Sequence, residues 1–207
     1  MIARGLVVVF FIITALFGFC LPAHATIIDF SVGTFADYDH VPDGFGSTAG
    51  VVVSYTTLHP DLTFAYNYIE RWHTGYADMT AAGYAGYPGG VLDITLTAVN
   101  PGAVVTLNSF DIGAYYTGNY TRQANIFKIV DGNNNVLRDY TSFWISGLNA
   151  DTLHPNVSAP SVSLLLGYDW NNGVNNINFS AVPLPPSLLL LAPGLVGLAS
   201  VRRRFRK

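Results

Sequence analysis

In 207 residues the chain holds one glutamate, Glu70, one glutamine, Gln123, and two lysines, Lys128 and Lys207. These residue types normally populate the wet faces of helices, because their straight stems lose little rotamer freedom there. A chain nearly without them, yet carrying 12 Tyr, 13 Phe and 20 Gly, is left with sheets joined by tight turns. Half of the residues are hydrophobic and 11% are charged, which excludes a disordered chain and a coiled coil.

Strand periodicity is cleanest at Leu92, Ile94, Leu96 and Ala98, which alternate with Asp93, Thr95, Thr97 and Val99. Asn100-Pro101-Gly102-Ala103 follows, with Pro and Gly at the centre of a type II turn, and a second strand runs from Val104 through Ile112. Ala124–Val130 and Val136–Ser142 flank the loop Asp131-Gly132-Asn133-Asn134-Asn135. Ser161–Tyr168 and Val174–Ser180 flank Asn171-Asn172-Gly173, where the Asn-Gly pair predicts a type I′ hairpin turn. With Thr26–Ser31, Val51–Thr57 and Leu62–Tyr66 the count reaches eight or nine strands. The expected fold is an all-β antiparallel β-sandwich of jelly-roll type. Asn67–Gly90 has no clean period and reads as a long loop, a short helical turn or an irregular strand.

All 13 acidic residues lie between Asp29 and Asp169, where Arg71, Arg122, Lys128 and Arg138 are the only cations, a net of −9. A domain that binds a duplex would be basic there, so nucleic acid is not an expected partner.

The two ends read as addresses. Met1–Ala25 runs from Arg4 through the apolar stretch Gly5–Leu21 to Ala23-His24-Ala25, the form of a secretory signal peptide cleaved after Ala25 by signal peptidase. Cys20 leaves with it, because Phe19 stands where a lipobox needs a small residue, and the exported domain then holds no thiol. The other end has three parts: Val182-Pro183-Leu184-Pro185-Pro186-Ser187, an apolar stretch from Leu188 to Val201, and the cations Arg202, Arg203, Arg204, Arg206 and Lys207. The prolines keep their segment extended. The apolar segment is expected to be a transmembrane helix, adequate in length when counted from Pro183. The cations stop transfer and stay in the cytoplasm. The domain boundaries expected are 1–25 signal peptide, 26–181 ectodomain and 182–207 sorting signal.

This tail resembles the PEP-CTERM sorting signal of Gram-negative, exopolysaccharide-producing bacteria. Val182, Pro183 and Pro185 fall on its motif, and Leu184 stands where the usual Glu would be. The resemblance implies an exosortase, a membrane-embedded cysteine protease, as partner. It also implies a transient inner-membrane anchor and a final place at the cell surface or outside it. Asn67–Gly90 together with Leu107–Asp111 is similar to the β-sandwich ectodomains found ahead of such tails, a likeness that brings no catalytic residues.

Catalytic patterns are missing from the sequence. Neither H-E-x-x-H nor G-x-S-x-G occurs, and His40, His59, His73 and His154 lack the short spacing of a zinc site. Glu70 with Asp78 or Asp93 could form a carboxyl pair for glycoside hydrolysis, as any acidic domain could. Asp37, Asp39 and Asp43 crowd one loop and are the candidate calcium ligands, hard oxygen donors for a hard cation. Asp131, Asn133 and Asn135 open like an EF-hand loop but lack its Gly and Glu. Trp72, Tyr76, Tyr84 and Tyr87, from a pool that includes Tyr115, Tyr116 and Tyr120, are candidate sugar-stacking rings, with core packing as the alternative.

The expected function is that of an exported, non-enzymatic surface or extracellular-matrix protein linked to exopolysaccharide or biofilm. A carbohydrate-binding module, stabilised by calcium or not, is the second expectation and an extracellular hydrolase the third. Replacing Pro183 and Pro185 with Ala is expected to leave a full-tail precursor in the membrane fraction, whereas the unaltered protein loses its basic end. Mass spectrometry of both fractions reads this, and Lys207 intact on surface protein in a host encoding an exosortase overturns it.

Overall fold

The computed structural model describes residues 25–116, 118–168 and 170–182, which are all-β with no helix among them. Ala23, the segment Pro183-Leu184-Pro185, the apolar tail and the cluster Arg202, Arg203, Arg204, Arg206 and Lys207 lie outside the described residues. Ala25 and Val182 are the first and last residues inside them.

The first sheet contains β1 (Ala25–Ile28), β4 (Ile69–Trp72), β5 (Ala82–Ala85), β7 (Val104–Ala114), β12 (Asp151–Leu153), β13 (Val157–Ala159) and β15 (Asn172–Val182). Its order is β12-β7-β15-β5-β4, with β1 also pairing β15 and β13 also pairing β7. The second sheet contains β2 (Val51–Leu58), β3 (Phe64–Tyr66), β6 (Val91–Ala98), β9 (Ile126–Asp131), β10 (Val136–Asp139) and β14 (Ser161–Gly167), in the order β10-β9-β14-β6-β2-β3. A small ribbon joins β8 (Thr121–Gln123) to β11 (Trp144–Ser146). The pairings within these sheets are antiparallel.

Both sheets turn their apolar sides to one core, as in a β-sandwich. Leu92, Ile94 and Leu96 of β6 enter it from the second sheet, and Val105, Leu107, Phe110 and Ile112 of β7 from the first, all buried. The outward partners of β6 are polar: Thr95 shares a hydrogen bond with Ser163, and Thr97 with Ser161. The Pro101-Gly102 turn forms as read, with Gly102 at φ +79° and the Ala103 N–H donating to Asn100 O. The Asp131 loop also forms, closed by the Asp131 carboxylate, which accepts from the Asn133 and Asn135 amides.

Two expectations are corrected. Asn171-Asn172-Gly173 is not a hairpin turn, because β14 pairs β6 and β9 in the second sheet while β15 pairs β7 in the first, so the chain crosses between layers here. Asn172 and Gly173 are already strand. The asparagines serve a different irregularity, a pair of compensating register shifts between β15 and β7 around Asn175–Phe179. There Asn176 takes φ +49°, a conformation an Asn side chain tolerates, and reaches Asp111, while Asn108 bonds Asn178. The shifts change the parity of the buried positions, from Val105 and Leu107 to Phe110 and Ile112 on β7, and from Val174 to Ile177 and Phe179 on β15. The second concerns Asn67–Gly90, open in sequence between loop, helical turn and irregular strand: it holds two short strands, β4 and β5, paired antiparallel with Trp72 opposite Ala82, and no helix.

Asp93 sits on the outer side of β6 across from Leu165 and beside the small apolar cluster of Val91, Val130 and Leu165. Burial pushes its carboxyl up to about 6, against hydrogen bonds from Thr95 and Ser163 that favour the charged form. With an ordinary value in the unfolded chain, the group costs no stability below that value. Stability is then lost as the pH rises through the folded one. Asp93→Asn is expected to raise the melting temperature by a few degrees at neutral pH and to leave it unchanged in acid below the ordinary carboxyl range. Thermal melts of both proteins across that window check it.

Candidate functional site: an aromatic cup on the outer face

Gly113 of β7 and Gly173 of β15 stand directly opposite each other. A Cβ on Gly113 would meet Ala77 at 2.9 Å, and one on Gly173 would meet Ala82 and the Tyr76 ring at 2.8 Å. The glycine pair therefore clears a place for residues 75–82 to lie against the outer face of the first sheet. Backbone bonds fix that segment to the ends of the same strands. The Ala77 N–H donates to Ala114 O at 3.0 Å, the Tyr116 N–H to Gly75 O at 2.6 Å, and the Tyr115 N–H to Asn171 O at 2.7 Å.

Tyr38 arrives from the other side. Its N–H donates to Arg71 O at 3.0 Å, and the Arg71 N–H donates to Asp39 O at 3.1 Å, so the loop runs along β4 as an irregular extra strand. The Arg71 side chain is buried and holds the loop from inside, donating to the carbonyls of Phe30 and Phe35. The rings that gather form an arc. Tyr38 meets Trp72 edge-on at 4.6 Å and 80°, Trp72 meets Tyr115 at 5.8 Å and 89°, Tyr115 meets Tyr76 at 5.1 Å, and Tyr76 stacks on Tyr84 at 5.8 Å. With Trp170 and Asn171 they line a cleft of about 270 Å³, open mouth included.

The floor is fully committed in hydrogen bonding. Tyr76, 4% exposed, donates its hydroxyl to Trp170 O, and Tyr84, 1% exposed, donates to the Glu70 carboxylate at 2.6 Å. Burial, then the Glu70 hydrogen bond and the nearby charges of Glu70, Tyr38 and Asp37, raise the Tyr84 phenol far above the usual tyrosine range. Tyr38 at one end of the arc and Tyr84 at the other line the same cleft, so the rings form a cup. Three residues around it, Tyr38, Ala77 and Tyr116, hold φ of +68°, +50° and +81°. Such conformations are costly for residues with a Cβ and are found where surrounding structure over-determines them, often at functional sites.

The structure brings together Trp72, Tyr76 and Tyr84 of the expected sugar-stacking set and adds Tyr115 from the wider pool. Tyr116 is 70% exposed at the margin, and Tyr120 packs against the main core instead. Tyr38 and Trp170 are the lining rings that sequence reasoning missed. Tyr87 stands elsewhere, in a second aromatic group on the edge strand β3, where His40 stacks on Tyr68 at 3.6 Å, Tyr68 on Tyr66 at 5.2 Å, and Tyr66 meets Tyr87 at 5.7 Å. Tyr87 shares a hydrogen bond with His59. Thr57, fully buried, secures this group by donating to Tyr68 O and accepting from the Gly86 N–H. Tyr66 and Phe64 on β3 are 43% and 65% exposed.

Asp37, Asp39 and Asp43 have separate partners. Asp37 accepts from the His73 N–H and meets its ring, Asp39 accepts from the Ala36 N–H at 2.6 Å, and Asp43 accepts from the Tyr55 N–H. Among the described residues no group of three or more His, Cys, Asp or Glu is placed to hold a metal ion. The Glu70 carboxylate accepts from Tyr84. Asp78 accepts from the Ala150 N–H, and Asp93 lies on the outer side of the opposite sheet. Comparisons with protein-family models, curated proteins and solved structures find no match for the chain.

The cup depends on the space at Gly173. Gly173→Ala drives a methyl into the Tyr76 ring and is expected to cost about 1–3 kcal/mol of stability, measured by urea unfolding, with altered fluorescence from Trp72 and Trp170.

Proposed function

We propose that this is an exported, non-enzymatic surface or matrix protein, sorted through its C-terminal segment by an exosortase-type protease and held in contact with exopolysaccharide. The observation that carries the contact is the exposed aromatic ridge on β3. Tyr66 and Phe64 are exposed, and Tyr68 and Tyr87 back Tyr66. A sugar ring stacks on an aromatic face while the phenol tips bond its hydroxyls.

The sorting part of the proposal rests on the tail sequence beginning at Val182, the exposed last residue of β15. Ala25 pairs with Ser180, so the ends of the domain nearest the signal segment and the sorting motif emerge side by side. We read the strand order as a jelly roll. The series β1-β15-β7-β12 and β6-β14-β9-β10 match its two interleaved sheets, with β2, β3, β4 and β5 as additions.

Phe64→Ala combined with Tyr66→Ala is expected to weaken retention on the host's purified exopolysaccharide by about three- to tenfold, read by affinity electrophoresis, with the melting temperature nearly unchanged. Equal retention of the double variant overturns the ridge as the contact.

A further inference from the structure

The cup and the ridge present different chemistry. On the ridge, Phe64 and Tyr66 are exposed on an edge strand; in the cup, Tyr38, Trp72 and Tyr115 meet edge to face at 80° and 89° and line a cleft. A flat sugar needs a platform and several hydrogen-bond partners. In the cup the floor hydroxyls of Tyr76 and Tyr84 are already donated, to Trp170 O and to Glu70. The lining is otherwise aromatic apart from Asn171, and the Glu70 carboxylate sits behind the floor on the Tyr84 hydroxyl.

No lysine, arginine or histidine is among the described residues that line it. The nearest buried cation, Arg71, is turned inward and held by the carbonyls of Phe30 and Phe35. His73, at the margin, is paired with Asp37. The stretch from Asp29 to Asp169 carries a net charge of −9. Ring faces carry negative potential, so walls of this kind backed by an acid attract a compact cation whose surface is apolar.

We propose that the cup is an aromatic cage for a quaternary or alkylated ammonium group, with Trp72, Tyr115 and Tyr38 as walls, Tyr76 and Tyr84 as floor and Glu70 as the charge behind it. The proposal goes beyond the exopolysaccharide contact and uses a different surface, so either can fail alone. It also gives a reason for the strained backbone at Tyr38, Ala77 and Tyr116, which holds the walls open before a ligand arrives.

The test titrates the exported protein with tetramethylammonium chloride, and in parallel with 3,3-dimethyl-1-butanol, whose uncharged tert-butyl head is the neutral isostere of a trimethylammonium group, at constant ionic strength. Calorimetry reads binding, and tryptophan fluorescence reports the place, since Trp72 and Trp170 line the cup whereas Trp144 lies on β11. The expected result is saturable binding of the cation, with the neutral isostere weaker by roughly tenfold. Trp72→Ala is expected to abolish binding, and Glu70→Gln to weaken the cation several-fold while leaving the isostere unaffected. Should Trp72→Ala not fold, Tyr115→Leu with an unchanged melting temperature serves in its place. The proposal is overturned by no saturable binding at tens of millimolar tetramethylammonium, by equal binding of the isostere, or by displacement of the fluorescence response by neutral oligosaccharides alone.

Discussion

Everything placed in this protein is placed by the pairing of β7 with β15. Each strand has 11 residues, and each changes the parity of its buried side chains midway, at the compensating shifts around Asn175–Phe179. Because a strand's side chains alternate, one shift alone would turn every later apolar residue to solvent. Two that cancel keep Val105, Leu107 and Phe179 in the same core as Phe110, Ile112 and Val174. The same register sets Gly113 against Gly173, and on that bare patch the floor of the cup rests.

Much of this was legible where a local rule and the tertiary structure agree. The β6 alternation needs only one buried and one wet face, and Pro101-Gly102 needs only a positive φ. Both are properties of neighbouring residues. Asn172-Gly173 misleads because it satisfies the turn rule while its glycine answers a different demand, the close approach of Tyr76 from nearly a hundred residues away. No local signal separates a glycine needed for φ from one needed for space. Gly173 does not have the positive φ of Gly102, and only the assembled sheet shows the difference.

The rings follow the same logic. Trp72, Tyr76 and Tyr84 were visible as aromatics in a segment without a period, and the missing period was itself informative. Two short strands of the segment lie within the first sheet while residues 75–81 between them cross its outer face, so no single repeat runs through it. Tyr38 and Trp170 could not be found by spacing, since they reach the cup from a loop bonded to β4 and from the crossing between layers. Tyr87, close to Tyr84 in sequence, went to the other group because Gly86 leaves room for Tyr68, where a Cβ would meet that ring at 2.6 Å.

A division of labour follows from these placements. The two sheets carry the stability, and Arg71 is the one buried charged residue among those described, its donors taken up by the carbonyls of Phe30 and Phe35 and by the His73 ring. The strained and exposed aromatic features are carried by additions to the outside, the loop along β4, the pair β4–β5 and the edge strand β3. The cup lies at the Asn172 end of β15 and Val182 at the other, a separation of about 30 Å at strand rise even allowing for the shifts. A domain held through Val182 therefore presents the cup at its far end. An addition can change its rings without disturbing the alternation that builds the core, as long as Gly113 and Gly173 keep their space. That requirement links the cup to the register of β7 and β15, and through it to the packing of both sheets.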